Sequence, residues 1–185
     1  MNLQGNILNT YSGGSIDYLN PESSVLTIHD IAIGLSREHR YGNQLKEDYT
    51  VLHHSLLCLE IADREGYDDQ AMLSVLLHDA SEAFVHDMPA QAKQFMPGYK
   101  KVEDRIQSYI ESELGIPIQH TRSLIKSIDL QALITELGRF RPKELGGFRP
   151  VLEYQRIMDK LMEVSSKELI WMFLSIYRAL KSRRC

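Results

Sequence analysis

The stretch Met72-Leu73-Ser74-Val75-Leu76-Leu77-His78-Asp79-Ala80-Ser81-Glu82 carries an apolar run straight into an adjacent histidine and aspartate. Its spacing predicts a helix over about Asp69 to Phe84, with the His-Asp pair near the C-terminal end. Adjacent helical positions lie about 100° apart, so both side chains reach one point only near a helix end or where helices cross. Burying both polar groups within Met72 to Ala83 costs free energy that a bound metal offsets. His54 and Asp129 lie far away in the chain. Together the four side chains can enclose one divalent metal, which points to hydrolytic chemistry.

Outward from that stretch, apolar residues recur at three- and four-residue spacing with little strand-like alternation, so the expected fold is all-α, a single helical bundle over residues 1–185. Residues 1–26, with Tyr11-Ser12-Gly13-Gly14-Ser15 and Asn20-Pro21-Glu22, read as an N-terminal arm. A first helix starts at Thr27, an N-cap with Asp30 three positions on, and ends near Arg40-Tyr41-Gly42. Thr50 caps a second, which carries His54 on a face shared with Leu57 and Ile61. Further helices are expected over about Tyr99 to Leu114, closed by Gly115 and Pro117, and over Thr121 to Arg139, which carries Asp129. The segment Pro142 to Pro150 reads as a loop. One long helix is expected over about Val151 to Leu180.

A chain of 185 residues suits one core. Its 21 basic residues against 25 acidic ones, a net charge of −4, leave no broad basic surface for a nucleic-acid duplex. Cys58 and Cys185 do not make a disulfide framework, no apolar run reaches the length of a membrane span, and Met1 to Ser15 lacks a signal peptide's pattern. The expected setting is a reducing cytoplasm. Leu169, Ile170, Trp171, Phe173, Leu174 and Ile176 make the last helix apolar nearly all round, which predicts burial by the core or by another subunit in a homo-oligomer.

Imidazole and carboxylate ligands suit Zn, Mn, Co, Fe or Mg with positions open to water and substrate. Asp129 sits among Leu124, Ile125, Ile128, Leu130, Leu133 and Ile134, where an unpaired carboxylate is unfavourable. Glu82, three positions after Asp79, lies on the same helical side. Arg40 has the planar fork that suits phosphate, and Lys93 is a point charge. Each of these taken singly also has a bland reading as a core or surface residue.

In order and context these residues resemble the HD-domain phosphohydrolase superfamily, whose pattern is a His, then a His-Asp pair, then a distal Asp. The segments Ile28-His29-Asp30-Ile31-Ala32, Leu35-Ser36, Arg40-Tyr41-Gly42, Tyr49 to Ser55, Leu77 to Ala83 and Asp87-Met88-Pro89 resemble its small branch, which holds YfbR-type deoxynucleotide 5′-nucleotidases and phage DatZ-type dATP triphosphohydrolases. The correspondence runs from about Tyr11 to Glu136. The resemblance implies metal ligation by His54, His78, Asp79 and Asp129, with Glu82 handling the proton of the attacking water. It implies Asp87 near the scissile phosphate or sugar, Arg40 and Lys93 on the phosphate, and Tyr41 stacked on base or sugar. Asn43 would read a base edge or simply stabilise its turn. Tyr41 stands where the branch often has Phe, and His86 where it often has Gly. His39, His53 and His86 leave room for another ligand set. The implied activity is triphosphate release from a dNTP, dATP preferred, by metal-activated water. The alternatives are phosphate removal from dNMPs, a cyclic-nucleotide or (p)ppGpp hydrolase, and a non-catalytic nucleotide-binding module.

Overall fold

Asn6, Asp17 and Ser24 organise the start of the chain, where a hairpin of β1 (Ile7–Asn9) and β2 (Ser15–Asp17) pairs Leu8 with Ile16. The computed structural model describes residues 5–116 and 121–183, and beyond this hairpin its regular elements are helices, as the all-α expectation requires. Pro117 and Cys185 lie outside the described residues.

α1 (Ile28–Arg37) begins with the expected capping box. Thr27 Oγ1 accepts from the Asp30 amide at 3.2 Å, and Asp30 accepts from the Thr27 amide at 2.8 Å. Two backbone donors that helix geometry leaves unpaired are thereby satisfied. α2 (Val51–Arg64) is buried without a break from Val51 to Leu59, so it is the centre of the bundle. α3 (Asp69–Leu76), capped by Asp68, lies against it. α4 (Glu82–Val85) packs on α1 at Gly34, where a Cβ would sit 2.6 Å from the Ala83 Cβ, so only glycine permits that approach. α5 (Ala90–Lys93) and α6 (Pro97–Glu113) follow; α6 turns Ile106 and Ile110 into the core. α7 (Arg122–Phe140) crosses α2 and buries Ile128, Ala132, Thr135 and Glu136.

The single helix expected over Val151 to Leu180 is two, α8 (Leu152–Met162) and α9 (Ser166–Ser182). They part at Ser165, whose side chain accepts from the Glu168 amide while Glu168 accepts from the Ser165 amide, a second capping box. The break lets α8 cover α2 and α7 while α9 covers α1, α2 and α3. Leu169, Phe173 and Leu180 face the core, but Trp171 is 69% exposed. Among the described residues no helix is long and apolar enough to cross a membrane.

Candidate metal centre

α3 stops at Leu76 and α4 starts at Glu82, so His78 and Asp79 stand on a turn and not within one continuous helix to Phe84. The turn is held by bonds from the His78 amide to the Val75 carbonyl and from the Ala80 amide to the Leu77 carbonyl. A continuous helix would splay the two side chains apart; the turn brings both to the same point. His78 Nε2 lies 3.2 Å from Asp79 Oδ2 and 3.3 Å from His54 Nε2 of α2. His54 Nε2 in turn lies 3.6 Å from Asp79 Oδ2 and 3.2 Å from Asp129 Oδ1 of α7. The structure thus brings together all four residues singled out as ligands.

Both rings have fixed tautomers. His78 Nδ1 is 2.7 Å from the Val75 carbonyl, and His54 Nδ1 is 2.6 Å from Glu136 Oε1. Those partners only accept, so each Nδ1 carries a proton and each Nε2 is the atom left to meet a cation, whether a metal ion or a second proton. Two lone pairs facing each other at 3.3 Å repel unless a cation lies with them. The surrounding charge agrees. Burial and Arg40 push the His54 imidazole down, but Cys58, Glu136 and Asp129 outweigh them and raise it well above the ordinary histidine range. His78 is likewise raised, Asp79 overcoming burial. Burial works to raise Asp79, yet His78, His54 and Arg40 hold it far below the usual carboxylate range. The cluster therefore attracts positive charge, and its donors could hold a metal ion.

Donor atoms of His54, Cys58, His78 and Asp129 all lie within 4.8 Å of one another, a group that can hold a metal ion. Cys58, one helical turn beyond His54, is not among the residues expected there. Its Sγ is 3.5 Å from His54 Nε2 and 3.9 Å from Nδ1. Near-equal distances place it beside the ring and away from the direction of the Nε2 lone pair. Burial pushes its thiol up, and His54 works in the opposite direction. Asp79, ionised and within 3.6 Å of both Nε2 atoms, is the better-placed donor.

Sequence reasoning missed Glu136. Two turns beyond Asp129 on α7, it is fully buried and accepts from the Tyr49 hydroxyl at 2.9 Å and the Tyr41 hydroxyl at 2.7 Å as well as from His54. Burial raises its pKa, but Arg40 and His54 bring it down to about 2. Its seven-residue distance from Asp129 in a helical stretch was the available signal.

Beside the cluster opens a cavity of about 510 Å³ lined by Arg40, Tyr41, Asp79, Glu82, Asp87, Lys93 and Asp129, with Arg141 and Glu144 at its α7 end. Arg40 Nη1 is 3.7 Å from Asp79, and Lys93 Nζ is 2.9 Å from Glu103 and 3.8 Å from Glu82. Glu82 Oε2 is buried and makes no hydrogen bond among the described residues. Burial, Asp79 and Asp87 push its carboxyl well above the usual range. Asp87 is raised too, by burial first, and its amide donates to Glu38 Oε1.

Tyr41, Gly42 and Asn43 have φ of 59°, 60° and 58°, three left-handed residues in succession. Asn43 lines no part of the cavity; at that φ the turn-stabilising alternative is the one the geometry supports. His86, with φ 69° and ψ 157°, occupies backbone that suits glycine, held by its ring nitrogen 2.6 Å from Glu38. Neither it nor His39, paired with Asp48, joins the cluster, and His53 instead accepts from the Thr50 amide.

No family model matches the chain. It is similar to two proteins that bear no functional name. One is the uncharacterized protein YfdR of Escherichia coli (strain K12), 34% identical over 146 residues, which are 79% of this chain and 78% of that protein. The other is an uncharacterized protein of Rhodobacter capsulatus, 32% identical over 154 residues, covering 80% and 77% of the two chains.

Proposed function

The chain belongs to the same family as YfdR of Escherichia coli, and we propose that it is a cation-dependent phosphohydrolase of the HD-domain type acting on deoxynucleotides. The observation that carries the reading is the convergence of His54, His78, Asp79 and Asp129 at the edge of a cavity that also presents Arg40, Lys93 and Glu82. His54, His78, Asp79 and Asp129 would hold a divalent cation, which would supply Lewis acidity toward a phosphoryl oxygen and lower the pKa of water.

The remaining chemistry falls to the chain's own groups. Arg40, largely buried and tied to Asp79 and Glu136, presents a fixed guanidinium to phosphate oxygens. Glu82, in an environment that favours its protonated form, can hold and return a proton, and Lys93 beside it stabilises charge that builds up on the phosphate. Tyr41 lines the cavity with the Arg40 and Arg141 guanidinium groups over its ring, so a base or sugar would meet an aromatic group and two cations together. Triphosphate release from a dNTP, dATP preferred, is the first reading. It rests on the resemblance of Arg40-Tyr41-Gly42 and Lys93 to the phage enzymes.

A second reading is favoured by charge. With Glu82 in its protonated form, the lining residues named above leave four carboxylates, Asp79, Asp87, Asp129 and Glu144, against three cations, Arg40, Lys93 and Arg141. One divalent ion leaves that wall with about one net positive charge, which matches a monophosphate better than the larger charge of a triphosphate. Product analysis of cation-loaded protein with dNTPs, dNMPs and ribonucleotides decides between them. Triphosphate from dATP, absent in Asp79→Ala, supports the first reading; inorganic phosphate from dNMPs alone supports the second. No turnover with any divalent cation leaves a nucleotide-binding module. The exposed Trp171 on α9 supports assembly into a homo-oligomer as part of the same proposal.

A further inference from the structure

Glu136 is sealed from solvent, yet its two oxygens serve different parts of the site. Oε1 accepts from His54 Nδ1 and the Tyr49 hydroxyl; Oε2 accepts from the Tyr41 hydroxyl and lies 3.4 Å from Arg40 Nε. It does not line the cavity, so it touches no reacting atom. We infer that Glu136 is a positioning residue that anchors the cation ligand His54 and the anion-binding pair Arg40 and Tyr41 through one carboxylate. Its Arg40 half rests on the phosphohydrolase reading; its His54 half does not.

Three consequences follow from the geometry. The carboxylate fixes the Nδ1–H tautomer of His54 and so aims the Nε2 lone pair into the cluster, the role that outer partners play for metal-binding histidines. It also divides the charge of Arg40. Lying between Asp79 at 3.7 Å and Glu136 at 3.4 Å, the guanidinium is kept from closing on Asp79, the oxygen donor that a cation needs. Finally it pins Tyr41. Left-handed backbone at a tyrosine is strained, and it persists where surrounding contacts over-determine it; the bond to a residue 95 positions away is such a contact.

Glu136→Gln is the informative change, because an amide keeps the shape but replaces one acceptor with a donor. With its oxygen toward His54, its NH2 faces Arg40 Nε–H; turned round, its NH2 faces His54 Nδ1–H. One half of the anchor fails in either pose. Titration with Co2+ alone is expected to show affinity down ~10–100-fold and an altered visible spectrum, with Tyr49→Phe, which leaves the His54 contact in place, far less affected. Affinity and spectrum equal to wild type in Glu136→Gln overturn the inference. Wild-type protein provides an independent arm should that variant not fold: 15N NMR of the Zn2+-loaded chain must find His54 protonated at Nδ1, and a proton on Nε2 overturns the inference. Neither arm needs turnover, so an inactive wild type refutes the phosphohydrolase reading and leaves these results to decide the role of Glu136 toward His54.

Discussion

His53 and His54 are neighbours on α2, and the two sides of that helix treat them in opposite ways. On one side, His53 accepts from the Thr50 amide and packs against the Tyr49 ring, and burial with nearby His39 pushes it down to about 4. On the other, His54 meets Asp79, Asp129 and Glu136, and its imidazole is held well above the ordinary range in spite of burial. Both are buried in the same apolar helix. Burial alone therefore makes a neutral structural histidine; convergent carboxylates make a place for a cation.

The largest test of that contrast exchanges each ring in turn. His54→Asn is expected to weaken Zn2+ or Co2+ binding by more than ~100-fold, beyond what losing an outer partner costs, whereas His53→Gln leaves it close to wild type. Comparable losses in both, read by equilibrium titration, would break the contrast. Glu82→Gln follows: phosphate release is expected to fall at least ~100-fold with cation affinity retained, as for loss of an acid-base group. Loss of cation with it would make Glu82 a ligand instead.

The His53 side has its own pH signature. A histidine whose folded pKa is depressed stabilises the fold above the unfolded value of 6.5, and that stability is lost as pH falls toward about 4, since only the unfolded chain takes up the proton in that window. The contribution is on the order of 2 kcal/mol after allowance for partial solvent screening. Denaturant unfolding in chelator should show wild type losing that much more stability than His53→Gln between pH 6.5 and 4; parallel curves would place the cause elsewhere. Smallest is His86→Gly, which relieves backbone that suits glycine but gives up the pairing with Glu38, for a net gain of at most ~1 kcal/mol in the same assay.

What could be read in advance depended on distance along the chain. The four candidate ligands were legible because imidazoles and carboxylates embedded in apolar helical spacing need a reason to be there, and the Thr27-Asp30 box marks its helix start locally. The break after Leu76 carries no glycine or proline; it is where His78 and Asp79 meet His54, a tertiary contact. The break before Ser166 had a local signal in Ser165 and Glu168, hidden under continuous apolar periodicity. Glu136 shows the limit most plainly. Its meaning comes from Arg40, Tyr41, Tyr49 and His54, all more than eighty positions away, and no spacing rule joins them.

The most direct measurement is X-ray absorption at the zinc edge of Zn2+-loaded protein. The account predicts stoichiometric Zn2+ with nitrogen and oxygen neighbours only, at ~2.0–2.2 Å, and the signature of two imidazoles. A sulfur neighbour at ~2.3 Å would put Cys58 in place of Asp79, and failure to bind Zn2+ at all would contradict the metal centre itself.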